Sequence, residues 1–224
     1  MQPLECNTFD VPLLFKEMTH RILNEYSAAI NMLALAAAKA ADTEAKSTLQ
    51  NAADRLRDHA IAYRALQLPS EEEPIDLTDH ISGICRAIYR SRLHTRGIKL
   101  SVSGETVALS PEQCWYAGLI VSELVTNAAK HAFNQRAGSI WVETRSTDEQ
   151  VQCGVIDDGV VAVRHPPGRG TEINDALARR LGGMVNRTFS SRGTTAILTF
   201  PRRSRLADFT LPPPRAVKMT RRVL

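Results

Sequence analysis

Apolar residues in the first third of the chain recur every three or four positions, which is the spacing of one face of a helix. The first series is Phe15, Met18, Ile22, Tyr26, Ala29, Leu33, Ala36 and Ala40. A second series, at Leu49, Leu56 and Tyr63, recurs every seven residues with alanines between them. Asp42 and Thr43 separate the two series and are typical of a turn followed by a helix N-cap. The pattern predicts an antiparallel helical hairpin.

The hairpin, assigned to residues 10–68, would bury little apolar surface alone because its seams are rich in alanine. Pairing with a second copy of the chain would give a four-helix bundle with a larger core. We therefore predict a homodimer that forms through the hairpin. The acidic, proline-bounded stretch 68–74 follows and indicates a linker to a second domain.

Residues 74–201 alternate between helical and strand patterns. Helical spacing covers residues 77–93, 110–133 and 173–181, and strand patterns cover residues 98–102, 107–109, 139–146, 150–156, 184–189 and 194–200. Ser110, Pro111 and Gln113 form a strong helix start, with an N-cap, a proline at the first position and a capping-box partner. Several strands follow one another directly, as they do in hairpins. The predicted fold class is α+β, a helical hairpin followed by a mixed α/β sandwich with helices on one face.

The composition narrows the class of protein further. Hydrophobic residues make up 43% of the 224 positions, which is typical of globular proteins and not of disordered or fibrous ones. No apolar run approaches the ~20 residues that cross a bilayer, so we predict a cytoplasmic protein without a membrane span. The 4 cysteines are scattered without a C-x-x-C pair, which argues against a zinc site or a disulfide framework.

The net charge of +4 is concentrated in a C-terminal tail, residues 202–224. This tail contains seven basic residues and one acidic residue, so the remainder of the chain is close to neutral. Consecutive prolines at 212–214 predict an extended tail. A solvated terminus is favoured over an arm for nucleic acid or a membrane surface, and we therefore do not expect a nucleic-acid partner.

One histidine of the first predicted helix lies away from its apolar series. Helical geometry places His20 about 160° from the centre of that series, so the imidazole is expected to be exposed. Glu17 and Asn24 fall on the same outward face. A histidine that attacks phosphorus needs solvent access, a neutral nucleophilic nitrogen and a partner that holds its tautomer, and this face supplies all three. A lone surface histidine on a charged face would fit the same geometry.

A second cluster of polar residues lies on the helix predicted over residues 110–133. Glu123, Asn127, Lys130 and His131 share one of its faces. Carboxylate and amide oxygens suit Mg²⁺, and phosphate oxygens favour a nearby positive charge, so this face could hold a metal-bound triphosphate. A polar face turned to water is the alternative.

The letters around His20 resemble a known motif. Residues 17–24 read Glu-Met-Thr-His-Arg-Ile-Leu-Asn, which resembles the phosphoacceptor motif E-x-x-H-R-x-x-N of the HWE-type sensor histidine kinases. The resemblance implies that His20 accepts a phosphoryl group and that Glu17 serves as its base or tautomer anchor, with Asn24 beside them. Leu23 stands where the family usually has lysine.

The helix over residues 110–133 also resembles this family. Residues 123–133 are similar to the N-box of the histidine kinase ATP-binding domain. The resemblance implies that Asn127, with Glu123 one turn before it, holds Mg²⁺ and that Lys130 meets phosphate. His131 matches the histidine that the HWE family carries here, and residues 141–143, Trp-Val-Glu, are similar to its W-x-E element.

A loop that follows a predicted strand resembles the D-x-G-x-G box of the same domain. In that box the aspartate accepts a hydrogen bond from the adenine amino group and the glycines let the backbone approach the nucleotide. Asp157 and Gly159 match the box, but Val161 replaces its second glycine. A β-branched side chain there would narrow the pocket or disfavour the required backbone angles.

Two further glycine elements follow in the family's order. Residues 168–171 resemble the second glycine box, in which Gly168 and Gly170 bring backbone amides to phosphate at a helix start. Thr194 belongs to a segment similar to the terminal G-T element. Only eight residues, 160–167, separate the two glycine boxes, and this is a short lid for the family.

The resemblance implies a helical hairpin followed by an α/β sandwich of the histidine kinase ATPase (GHKL) type. It implies a kinase that uses ATP and Mg²⁺, phosphorylates its own His20 and passes the phosphoryl group to an aspartate of a response-regulator receiver domain. The alternative is a histidine phosphotransferase that carries phosphate and has a degenerate ATP domain. Val161 and the short lid favour the carrier, whereas Asn127, Lys130, Asp157 and Gly170 favour the kinase.

Overall fold

The structure, a computed structural model, describes residues 11–70, 73–133, 136–159 and 169–202. Two long helices open it, α1 (Val11–Lys39) and α2 (Thr43–Ala65), and they pack against each other as the predicted hairpin. The side chain of Asp42 accepts a hydrogen bond of 2.8 Å from the backbone of Ala45, which confirms the predicted N-cap. Helix α1 already begins by residue 11, earlier than the apolar series indicated.

The predicted seam of α1 was wrong at two positions. Met18 is 54% exposed and Ala36 is exposed, whereas Thr19 and Ala37 are buried at 2% and 3% exposure. The buried positions thus fall one residue later at these two turns. The spacing of apolar residues does not show which of two adjacent helix faces packs against α2. His20 is exposed, as predicted, although only about 100° separates it from Thr19 on the helix.

Apolar side chains remain exposed on a second face of α1. They are Leu14, Met18, Met32 and Leu35, between 49% and 65% exposed. At about 100° per residue these four positions fall within an arc of roughly 100°, on the side of the helix away from both the buried seam and His20. Helix α1 therefore has one packed apolar face, one unpacked apolar face and one polar face.

The second part of the described chain, from residue 75 onward, contains every strand that the structure describes. Its elements are β1 (Ile75–Asp76), α3 (Leu77–Ile88), a π-helical turn (Tyr89–Leu93), a 3₁₀ turn (His94–Arg96), β2 (Ile98–Gly104), β3 (Ala108–Leu109), α4 (Pro111–His131), β4 (Gly138–Ser146), β5 (Gln150–Asp157), α5 (Arg169–Arg180), β6 (Met184–Ser190) and β7 (Gly193–Pro201). The helix predicted over residues 77–93 therefore leaves the α conformation after Ile88. The capping box predicted at Ser110 is present, with both reciprocal hydrogen bonds.

Five strands form one sheet in the order β2-β4-β5-β7-β6. The β2–β4 pair is parallel and the other pairs are antiparallel, with β4–β5 and β6–β7 as hairpins. Strand β3, which the sequence predicted as a short strand, pairs with β1 in a separate two-stranded ribbon. Asp76 ties this ribbon together, because its Oδ1 accepts hydrogen bonds from the backbone of Thr78 and of Val107, both at 3.0 Å.

Helices α3, α4 and α5 cover one face of the sheet, as predicted. Along β4, Ile140, Val142 and Thr144 are fully buried, whereas Trp141 between them is 40% exposed on the opposite face. The core on the helical side includes Trp115, Tyr116 and Phe200. The fold class is confirmed as two N-terminal helices followed by a mixed α/β sheet domain. In the described parts of the chain, no helix is both long enough and apolar enough to cross a membrane.

Three cysteines lie within the described residues, and all three are buried. Burial raises the pKa of the Cys85, Cys114 and Cys153 thiols to about 12. These thiols are therefore protonated at neutral pH and pack as small apolar groups.

Candidate functional site

His20 lies on the exposed polar face of α1. Arg21 Nε donates a hydrogen bond of 2.9 Å to Glu17 Oε1, so the carboxylate predicted to act on the imidazole is paired with a neighbouring cation. This ion pair is exposed at both ends and stabilises the helix little, so it leaves Glu17 able to change partners. Asn24, one turn after His20, is exposed as well.

The N-box residues occupy the last turns of α4, and the start of α5 lies against them. Asn127 Nδ2 donates a hydrogen bond of 3.2 Å to Glu123 Oε1, which brings the two predicted metal ligands together. Lys130 and His131 are exposed in the last turn of the helix. Asn127 Oδ1 and the second carboxylate oxygen of Glu123 are hard donors of the kind that Mg²⁺ prefers.

Gly170 provides the contact between α5 and the N-box. A Cβ atom at this position would lie 2.5 Å from Glu123 Oε1, so a side chain there would displace the carboxylate. The backbone at Gly170 therefore lies close to the Glu123 carboxylate, which Asn127 also contacts. Backbone amides, a carboxylate and a lysine are groups that can bind a metal-bound phosphate.

Asp157 ends strand β5 with its carboxylate buried at 4% exposure. Its Oδ1 accepts hydrogen bonds from the backbone of Gly159 at 3.0 Å and of Thr194 at 3.2 Å. Burial raises the pKa of the Asp157 carboxyl above its ordinary value, while these two hydrogen bonds oppose the rise. Asp157, Gly159 and Thr194 are thus brought together although 37 positions of sequence separate the first from the last.

Two glycines are needed around Asp157 because backbone approaches backbone. A Cβ atom on Gly159 would lie 2.3 Å from the carbonyl oxygen of Ala132, at the end of α4. Gly193 has a φ of 130°, and a Cβ atom there would lie 1.7 Å from the carbonyl oxygen of Asp157. The sequence predicted that Gly159 lets a nucleotide approach the backbone. The structure shows that a side chain at Gly159 would also collide with the end of α4.

Asp158 is a structural residue that the sequence did not single out. Its Oδ1 accepts a hydrogen bond of 2.7 Å from the backbone of Ser139, and its own N–H donates to the carbonyl oxygen of Ser139 at 3.2 Å. These two bonds fix the end of β5 against the start of β4. An Asp-Asp-Gly string signals a turn, but it does not reveal which aspartate points inward.

The predicted W-x-E element lies outside this arrangement. Trp141 is 40% exposed on the face of the sheet opposite the helices, and Glu143 accepts a hydrogen bond of 2.9 Å from Arg145 on that same face. Residues 160–168, with Val161 and Gly168, lie outside the described residues, as does the tail beyond residue 202. The predictions for the second glycine box are therefore untested at Gly168.

Comparison with known proteins gives a match to a family model. Residues 17–92 match the family model described as a histidine kinase (HisKA_2), and this stretch includes His20. The sensor histidine kinase PdtaS of Mycobacterium tuberculosis is 26% identical over 205 residues, which cover 85% of this chain and 40% of PdtaS. The chain therefore spans less than half the length of that relative.

Solved structures agree on the fold. The histidine kinase domain of the EL346 blue-light activated histidine kinase of Erythrobacter litoralis superposes with a TM-score of 0.55 at 24% identity, covering 78% of this chain and 95% of that one. A bacterial phosphotransferase superposes with a TM-score of 0.59 at 14% identity, covering 88% of this chain and 100% of the other. Residues 17–92, with the motif around His20, are therefore similar to the histidine kinase family model, and the described fold is that of these solved structures.

Proposed function

We propose that the protein is a histidine kinase that phosphorylates His20 from ATP and passes the phosphoryl group to an aspartate of a response-regulator receiver domain. The observation that carries the proposal is the position of His20, which lies within the matched histidine kinase stretch and is exposed on α1. An exposed neutral imidazole is a nucleophile that solvent and a second protein can both reach.

In the proposed step, a neutral ring nitrogen of His20 attacks the γ-phosphorus of ATP. The new N–P bond forms as the bond from the γ-phosphorus to the bridging oxygen breaks, and ADP leaves. Glu17 is proposed to hold the other ring nitrogen in the N–H tautomer, with Asn24 on the same face. This role requires Glu17 to exchange its present partner, Arg21, for the imidazole. Positioning and electrostatic stabilisation supply most of the catalysis in such a transfer.

The nucleotide would be held by the residues around α4 and α5. We assign the adenine amino group to Asp157, with Gly159 and Thr194 around its carboxylate, and the phosphates to Lys130, His131 and the glycines Gly168 and Gly170. Glu123 and Asn127 would hold Mg²⁺, which offsets the charge of the triphosphate when bound. The fit rests on two observations, the close pairing of Glu123 with Asn127 and the lack of room for a side chain at Gly170.

The unpacked apolar face of α1 supports a homodimer. Four exposed apolar side chains on one face of a long helix are expected to pack against a second copy of the hairpin. We therefore propose that residues 10–68 form a dimerisation and phosphotransfer unit, that residues 74–201 form the nucleotide-binding unit, and that the receiver domain docks on the resulting bundle.

Labelling from ATP tests the proposal. The full chain is incubated with γ-labelled ATP and Mg²⁺ beside the variants His20→Ala and Asn127→Ala, with His59→Gln as a control on the second helix of the same hairpin. We expect acid-labile, base-stable label on the wild type and on His59→Gln, and none on the other two. Label that survives in His20→Ala would refute His20 as the acceptor.

The second candidate function is a histidine phosphotransferase without kinase activity. It is favoured by Val161 in place of a glycine and by the short segment between Gly159 and α5, residues 160–168. The fold does not distinguish the two, because a bacterial phosphotransferase shares it. Phosphoramidate, a small phosphoryl donor, decides between them. If it phosphorylates His20 while ATP gives no label and calorimetry detects no nucleotide binding, the carrier function replaces the kinase.

A further inference from the structure

Trp115, in the second turn of α4, contacts the helical hairpin. Its side chain is 1% exposed. The ring of Phe15 from α1 meets it edge-on, with ring centroids 5.3 Å apart and planes at 74°. The indole Nε1–H donates a hydrogen bond of 2.9 Å to the carbonyl oxygen of Leu66, the residue that ends α2. One side chain therefore contacts both the first helix and the end of the second.

The hydrogen bond from Trp115 satisfies a carbonyl group at the end of α2. The last carbonyl groups of a helix have no partner within the helix, so they need another donor when they are removed from water. Trp115 supplies that donor, and its own N–H would be costly to bury without an acceptor. The indole thus combines this donor with a large ring that meets Phe15.

The same helix carries the nucleotide-site residues at its other end. Trp115 and Asn127 are twelve positions apart, which corresponds to ~18 Å along α4, and Phe15 and His20 are five positions apart, which corresponds to ~7.5 Å along α1. Helix α4 thus connects the residue that contacts α1 with the N-box residues through one continuous helix. A change in the contact at Trp115 would shift His20 relative to Asn127.

Helix α5 braces α4 at both ends. Gly170 lies against Glu123 at one end, and at the other the guanidinium of Arg180 lies 5.8 Å from the ring centroid of Tyr116. Tyr116 in turn contacts Trp115, with ring centroids 4.8 Å apart. The contacts therefore run without a break from the N-box and α5, through Tyr116 and Trp115, to Phe15 on the helix that carries His20.

We propose that Trp115 is a positioning residue that seats the hairpin on α4 and thereby sets the rate at which His20 is phosphorylated from ATP. The inference rests on the proposed kinase function and adds the residue through which the two units are held in register. Trp115 is proposed to act through its contacts with Phe15 and Leu66 and not on the reacting groups themselves. Its effect is on the placement of α1, and misplacement of reacting groups by about 1 Å can cost roughly 100-fold in rate.

Four variants of the full chain test this positioning role. Phe15→Ala removes the ring on α1 and leaves the core around Trp115 intact, and Phe15→Tyr keeps an aromatic ring there. Trp115→Phe keeps a ring and removes the donor to Leu66. Lys16→Ala changes the exposed neighbour of Phe15 and serves as the control. Each is assayed for the rate of labelling from ATP at saturating nucleotide, for nucleotide affinity and for phosphorylation by phosphoramidate.

We expect Phe15→Ala to lower the maximal rate of labelling about 10-fold or more, Trp115→Phe to lower it less, and Phe15→Tyr and Lys16→Ala to keep the wild-type rate. Nucleotide affinity and phosphoramidate labelling should not change, because the nucleotide-binding residues remain folded and the His20 imidazole remains reactive. A wild-type or raised rate in Phe15→Ala overturns the inference, as does a parallel loss in phosphoramidate labelling. If the wild type takes no label from ATP, the kinase function fails and the inference fails with it.

Discussion

The carboxylate of Asp157 accepts hydrogen bonds from Gly159 and Thr194, and we propose that it also accepts one from adenine. Asp157→Asn keeps an oxygen that accepts from Gly159 and Thr194, but its amide places a donor where the adenine amino group needs an acceptor. Loss of one hydrogen bond, with two donors facing each other, should weaken nucleotide binding about 10-fold or more. Isothermal calorimetry with ATP measures this, and Asp158→Asn is the control, since Asp158 bonds Ser139 instead. Unchanged affinity in Asp157→Asn would remove the residue from the site.

The same substitution should not lower the stability of the protein at neutral pH. Because the folded pKa of Asp157 is raised above its ordinary 3.8, the ionised folded state carries a burial cost that the unfolded state does not. This cost is present above the folded pKa and disappears as pH falls through the folded pKa to 3.8 and below. Urea unfolding should therefore find Asp157→Asn at least as stable as the wild type at pH ~7, with the difference shrinking toward pH ~4. A large loss at pH ~7 would contradict the sign of the pKa shift.

Asn174 of α5 is a buried polar residue whose amide nitrogen faces no acceptor within the described part of the chain. Its side chain is 1% exposed, and its Nδ2 has no hydrogen-bond partner among the residues that the structure describes. An unsatisfied buried donor costs about 1–3 kcal/mol. Asn174→Leu should therefore raise the free energy of unfolding by about 1 kcal/mol or more, measured by urea unfolding. Asn51→Leu, on the exposed surface of α2, controls for the gain in helix propensity, and an equal gain in both variants would show that burial of Asn174 costs nothing.

At the scale of elements, the sequence predicted what is encoded locally. The start of α4 was predicted because Ser110, Pro111 and Gln113 form a capping box within four residues. Strand β3 was predicted but its partner was not, because β1 lies more than thirty positions earlier and has only two residues. Short strands acquire their pairing from tertiary contacts, which a pattern of alternation does not contain.

The contact between α5 and the N-box leads to a prediction about Gly170. Gly170→Ala places a Cβ where Glu123 Oε1 lies, and the flexible carboxylate can move aside at small cost. The fold should therefore be kept, while the pairing of Glu123 with Asn127 is lost. We expect Mg²⁺-dependent labelling from ATP to fall about 10-fold with no decrease in melting temperature. Gly83→Ala in α3, where a Cβ would meet no atom within 4 Å, is the matched control. A full rate in Gly170→Ala would contradict a role for this contact.

At the scale of the whole molecule, motifs identified residues that folding brings together but did not predict their packing. Asp157 and Thr194 were predicted only from resemblance, because no periodicity connects positions 37 apart. Trp115 was not singled out at all, since an aromatic residue on an apolar helix face has the same pattern whether it fills a core or seats another domain. The residues of an interface between two units of one chain have the same apolar pattern as core residues, so only the structure distinguishes the two.

The unpacked face of α1 gives the last prediction, which concerns the assembly. Met32 is 65% exposed in one copy, and a four-helix bundle would bury it against the second copy. Met32→Glu places a charge at that seam, and burying an unpaired carboxylate costs several kcal/mol, so dimerisation should weaken at least about 100-fold. Light scattering with size exclusion should find the wild type at the mass of two chains and Met32→Glu at the mass of one. Asn31→Glu adds the same charge on the polar face and should remain dimeric.

Since the hairpin of each copy packs on its own α4 through Trp115 and Phe15, the monomeric variant should still bind nucleotide, and loss of binding would mean that the second copy is needed to complete the nucleotide site.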